Sequence, residues 1–186
     1  MGAVQFQAFA LAVAPHAAST ANYCDHVEHN EPAAAEWVIG AGEALARLAS
    51  ELASDNGVDL VQLYAERLGA IEARSVLAGP GGFDGRTAAL VAESWRDLQL
   101  VQAEHDRTYH ADVVGLAKCD QLRHYALHLA KIVGAFAEAK DREELIARRL
   151  PDALLFSIKL RTVMGSRLSE DPLPRLGHLA VAAATA

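Results

Sequence analysis

The chain has 186 residues, of which 52% are hydrophobic and only 6% aromatic, with a formal net charge of −7 and a pI of about 5.6. An acidic surface repels the phosphate backbone, which excludes broad nucleic-acid binding, and no apolar run reaches the ~18 residues a membrane span needs. Two cysteines, Cys24 and Cys119, far apart and in no CxxC pair, exclude a disulfide scaffold and a zinc ribbon and suit a reducing cytoplasm.

Much of the apolar content is alanine, the strongest helix former, and the expected elements are all helical. Residues 3–14 read as a first helix with Phe6, Phe9 and Val13 on one stripe, ended by Pro15. This stretch is apolar, but no Lys or Arg precedes Arg47, so it lacks the positive region of a signal peptide. Residues 15–32 read as polar and irregular. A helix over 33–54 carries Trp37, Leu45, Leu48 and Leu52, and Gly57 in "SDNG" suits a left-handed cap. Asp59 caps a helix over 60–76 with Leu60, Leu63, Tyr64, Leu68 and Ile71. "AGPGGFDG", 78–85, is a linker-like break and lacks the lysine of a phosphate loop.

Beyond it a long helix is expected over 87–116, striped by Val91, Trp95, Leu98, Gln102, His105, Tyr109, Val113 and Leu116. Another runs over 120–139, and a last one over 142–165 is capped by Asp141, with a kink or break just before Pro151. No alternating strand pattern occurs. The reading is an all-α helical bundle in one domain, 1–166, followed by a loosely held C-terminal arm, 167–186.

The stretch "LHLAKIVGAFAEAKDREELIARRLPDALLFSIKLRTVMG", 127–165, resembles the MazG-like all-α nucleoside triphosphate pyrophosphohydrolase superfamily, through Gly134, "AEA" at 137–139, "REEL" at 142–145 and Asp152. Residues 48–74 resemble the helix–turn–helix that closes the same fold. The resemblance implies a nucleotide or other phosphorylated small molecule as ligand, and pairing of short helices from more than one chain. It also implies a Mg²⁺ site of carboxylates, and here the match fails. At the ligand positions stand Lys131, Ile132, Ala135 and Arg149, with Asp152 the surviving acid. Lysine and isoleucine cannot give Mg²⁺ its oxygen ligands.

A histidine set offers a replacement. On a helical wheel Leu122, Ala126, Leu129, Val133 and Phe136 form the core stripe of 120–139, and Asp120, His124, His128 and Lys131 lie opposite. That face reads either as solvated or as two imidazoles and a carboxylate spaced for a transition metal. His105 lies on an apolar stripe, where a histidine is either a hydrogen-bonded core residue or a ligand. "EHDRTYHAD" gathers Glu104, His105, Asp106, His110 and Asp112 around it. The expected metal set is His105, Asp120, His124 and His128, holding a divalent ion with a transition metal favoured over Mg²⁺. Arg123 and Lys131 are the expected anion contacts. No organic cofactor is implied.

The adjacent His105 and Asp106 are also similar to the metal-binding pair of HD-type phosphohydrolases, with His26 or His29 and Asp152 available as further ligands. DinB-like bundles use a comparable HxxxH, but no first-helix histidine is placed for it. Three functions stay open: a metal-dependent hydrolase-like or binding protein with a rebuilt site, a non-catalytic oligomeric scaffold, and an HD-type metal phosphohydrolase. A homodimer is expected, because Leu154, Leu155, Phe156, Ile158, Leu160 and Val163 make the last helix apolar around most of its circumference.

Overall fold

The computed structural model describes residues 3–74 and 82–174. Among these the protein is all-α: the β structure is confined to an isolated antiparallel bridge between Ser94 and Pro172, and no helix is long and apolar enough to cross a membrane.

Helix α1 (Ala3–Glu28) does not stop at Pro15 but runs through it, so the irregular segment expected from 15 is helical. Proline in a helix frees the carbonyl four residues back, here that of Leu11. Leu11 and Pro15 are both exposed, so water can satisfy that group. Beyond the proline, Thr20 and Cys24 continue the buried stripe begun by Phe6, Phe9 and Val13, and the Thr20 hydroxyl donates to the His16 carbonyl at 2.9 Å.

Helix α2 (Glu36–Asp55) buries Val38, Ala41, Leu45, Ala49 and Leu52 at helical spacing, and Gly57 caps its end at φ +65° as expected. Gly42 allows α2 close to the last helix, since a Cβ there would lie 2.7 Å from Arg161 Cγ and 2.9 Å from the Ser157 carbonyl oxygen. Helix α3 (Leu60–Glu72) begins at Asp59, whose carboxylate accepts from the Val61 and Gln62 amides.

The single helix expected over 87–116 is three: α4 (Gly85–Val91), α5 (Trp95–Tyr109) and α6 (Ala111–Val114). Ser94 and Asp97 form a capping box that starts α5 afresh. His110 breaks the far end with φ −138° and ψ 36°. The segment 78–85, of which 78–81 lies outside the described residues, does not hold two halves apart. The Phe83 carbonyl accepts from the Tyr109 hydroxyl at 2.7 Å, and the Gly85 amide donates to Glu72 at 2.8 Å.

Helix α7 (Lys118–Glu138) buries Leu122, Tyr125, Leu129, Ile132 and Phe136. Leu122, Leu129 and Phe136 are as expected, but Tyr125 and Ile132 take the places of Ala126 and Val133, which are only half-buried, so the stripe is turned by ~40°. Short α8 (Arg142–Glu144) leads into a π-helical turn, Leu145–Arg149, and then α9 (Leu150–Val163). The wide turn is the interruption expected before Pro151, which falls in the first turn of α9. Helix α9 is the centre of the bundle. Every residue from Leu150 to Leu160 is buried, against α2, α3, α5 and α7 of the same chain. The apolar circumference that suggested a second copy is therefore covered within one.

The arm expected to be loose is docked as far as the description extends. Gln99 donates to the Ser166 carbonyl and accepts from the Leu168 amide. The Trp95, Arg96 and Leu173 amides bond to Asp171, Ser169 and Glu93 across the pair of segments, and Leu168 and Leu173 are buried. The rest of the expected arm, 175–186, lies outside the described residues.

Candidate metal and anion site

Between α3, α5 and α9 the core is polar. The Tyr64 hydroxyl donates to Gln102 Oε1 at 2.8 Å, and Gln102 Nε2 donates to Asp106 Oδ1 at 2.9 Å. Lys159 Nζ reaches the same oxygen at 2.7 Å, with both side chains of this ion pair at least nine-tenths buried. The ammonium also lies 5.7 Å and 5.6 Å from the centroids of Tyr125 and Phe156, and so gains from both ring faces. Burial, with the Asp106 charge behind it, holds the Tyr64 phenol well above its usual range.

His105, one residue before Asp106, is fully buried, and neither ring nitrogen has a hydrogen-bond partner. Glu72 Oε1 lies 3.6 Å from its Nε2, just beyond bonding reach. The ring packs 4.7 Å from Tyr109, and Gly85 seals its edge, where a Cβ would come within 2.8 Å of His105 Cδ2. Burial first, then His110 and Lys159, lower its pKa to about 4, while the Leu68 backbone near the ring pulls the other way. It is thus a neutral imidazole with lone-pair capacity unused. Ligand atoms of His105, Asp106 and His110 all lie within 4.8 Å of one another, the one such set of three or more among the described residues.

His110 turns from this cluster into a cleft of about 130 Å³, lined also by Arg67, His124, His128, Asp152, Phe156 and Lys159. Arg67 Nε donates to Asp152 Oδ1 at 2.6 Å. Each cation of the cleft thus has a carboxylate, Arg67 with Asp152 and Lys159 with Asp106. The imidazoles of His124 and His128 are 4.7 Å apart, and His128 stacks on Phe156 at 4.9 Å. Burial lowers the pKa of His110 and His124, seconded by the Lys159 charge, and brings that of His128 to about 4, with His124 and the lysines adding to it. At neutral pH these rings are uncharged bases.

Of the expected metal set, His105, His124 and His128 are at or beside this cleft and Asp120 is not. His124 and His128 do not face away from the core: with Tyr125 and Ile132 turned inward, their side of α7 is half-buried and leans on α9. Asp120 stays exposed and pairs with Arg123 at 3.3 Å. Arg123 is further held by Glu28, and Lys131 is exposed, so neither expected anion contact lines the cleft. His26 and His29, considered as partners for the His105–Asp106 pair, bond instead to the Pro32 and Asp25 carbonyls at 3.0 Å and 2.8 Å. Asp106 and His110, rather than Asp120, are the acid and imidazole near His105, and the cations that line the cleft are Lys159 and Arg67. Compared with known protein families, curated proteins and solved structures, the chain matches none.

Proposed function

We propose that this protein is a metal-dependent hydrolase-like or binding protein for a nucleotide or another phosphorylated small molecule. Its metal would sit on His105, Asp106 and His110. The observation that carries the reading is the fully buried His105 imidazole, left without a partner beside two further ligand atoms. Buried polar groups are almost always satisfied, and an orphan calls for a ligand. Two nitrogens and a carboxylate oxygen suit a transition ion better than Mg²⁺. Glu72 supports the assignment: a shift of a few tenths of an ångström would let it accept from His105 Nε2, as carboxylates do behind metal-bound imidazoles.

The bound ion would polarise a phosphoryl oxygen or activate water. Lys159 and Arg67 would meet the anion's charge, and the neutral His124 and His128 would accept protons from the cleft side. Lys159 now occupies Asp106 Oδ1, so an arriving phosphate that drew the ammonium toward itself would free that oxygen for the metal. The adjacent His105 and Asp106 both belong to the group, which favours an HD-type variant of the reading over MazG-like carboxylate chemistry, with Asp152 on the far wall.

The test is calorimetric titration with Zn²⁺, Mn²⁺ and Co²⁺. We expect binding to wild type, retained in Asp120→Ala and abolished in His105→Leu/His110→Ala. Absence of binding to wild type would return the protein to the scaffold reading. We place the chain in a reducing cytoplasm because it has only two cysteines and no CxxC pair. Self-association is the remaining proposal, now resting on exposed Leu11 and Leu127 on α1 and α7 rather than on α9. Sedimentation as a 19.8 kDa species at micromolar concentration would remove it.

A further inference from the structure

Independently of the histidine cleft, the fold brings both cysteines of the chain together. Cys24 is fully buried near the end of α1, and Cys119 is half-buried in the first turn of α7. They are 95 residues apart in sequence, yet the Cys24 thiol donates to the Cys119 carbonyl oxygen at 3.5 Å, which brings the two residues side by side. Both are free. The helices that carry them are held at both ends. Gln7 Nε2 donates to the Ala137 carbonyl at 3.3 Å, and Arg123 pairs with Glu28, one helical turn beyond each cysteine.

We propose that Cys24 and Cys119 form a reversible modification site, which closes to an intramolecular disulfide by exchange with a low-molecular-weight disulfide. The Cys119 thiolate attacks one sulfur of the small disulfide, forming a mixed disulfide and releasing one small thiolate. Cys24 then attacks Cys119 Sγ, its S–H proton passing to the second small thiolate as that leaves. The protein gives up two electrons and two protons, and the small disulfide becomes two thiols. The order follows from exposure: a small disulfide reaches Cys119 and not Cys24. Burial, with the Cys119 thiol next, pushes the Cys24 thiol up to about 12, so it serves as the resolving partner rather than the first attacker. Capping Cys119 removes one of the groups that oppose ionisation of Cys24.

The test uses the full chain at micromolar concentration, near pH 8, where a free thiol begins to ionise, with excess oxidised glutathione. Thiol titration, intact mass and a non-reducing gel are the readouts. We expect both thiols to disappear without a retained adduct, in a monomer that dithiothreitol restores. Closing so long a loop should raise the Tm by roughly 5–15 °C. Cys24→Ala should stop at a glutathione adduct on Cys119, and Cys119→Ser should not react. Wild type that stops at the adduct, forms covalent dimers, or keeps both thiols would overturn the proposal. The Cys119→Ser variant keeps it decidable if Cys24→Ala does not fold.

Discussion

The seam between α1 and α7 and the seam between α5 and α9 are built on opposite terms. The first is apolar at its centre: Phe6 and Phe9 pack on Phe136 with ring centroids 5.7 Å and 4.5 Å apart, beside buried Val13 and Leu129. The second encloses an ion pair, a tyrosine–glutamine–aspartate chain and an imidazole with no partner. Apolar packing of similar volume is often the more stable choice in such a place. A core that keeps Lys159, Asp106 and His105 together gives up some of that stability for polar groups, whereas the α1–α7 seam is held at its centre by apolar packing alone.

Mutations separate the two. The largest losses are expected from truncating each side. Phe136→Ala should cost about 4 kcal/mol through the cavity it leaves, and Asp106→Ala should cost a similar amount by stranding the Lys159 charge. Chemical denaturation measures both, and the regions part company in the next step. Asp106→Leu combined with Lys159→Met should recover most of that loss while metal binding stays absent; a double variant as unstable as Asp106→Ala would mean that the pair is a structural requirement.

Next comes pH. The native pKa of His105 is about 4 against an ordinary 6.5, so the unfolded chain takes up a proton first as pH falls. Stability is then full above about pH 6.5 and declines toward pH 4, by about 3 kcal/mol from His105 alone. Urea midpoints across that range should show the slope, flattened in His105→Leu. A smaller effect, about 2 kcal/mol, is expected for Gly42→Ala, where the new methyl meets the Ser157 carbonyl. Smallest of all is His105→Leu at neutral pH, within about 1 kcal/mol of wild type or slightly more stable, because an unsatisfied imidazole is removed. A large destabilisation there would show that His105 is an ordinary structural residue.

The apolar parts of the fold were the legible ones. Helical spacing in α2 and α3, Gly57 and the Asp59 cap are local signals, and they survive folding unchanged. Pro15 misled because its tolerance depends on which way the Leu11 carbonyl faces. "SWRD", the Ser94–Asp97 capping box, was readable in the sequence as a helix start inside what otherwise looked like one long periodic run. Within the site, His105 stood out as a histidine on an apolar stripe. Asp106 and His110 were legible beside it in "EHDRTYHAD", but Lys159 was not, because the Asp106–Lys159 pair joins helices distant in sequence. The α7 histidines were placed too far from the core, because the buried stripe is turned ~40° toward them. Tyr125 and Ile132 compete with Ala126 and Val133 for the interior, and the larger pair buries more apolar surface.

Gly85 carries a consequence for descent. Its missing side chain is the space that the edge of His105 and the Glu72 carboxylate occupy, each within 2.8 Å of where a Cβ would stand. Positions 85 and 105 therefore form one inherited unit. A lineage that keeps the imidazole is expected to keep the glycine, and one that gives it up for a smaller residue has only the movable Glu72 carboxylate against an alanine at 85. Reading those two positions together across descendants of this chain would show whether the glycine and the buried imidazole change as a pair.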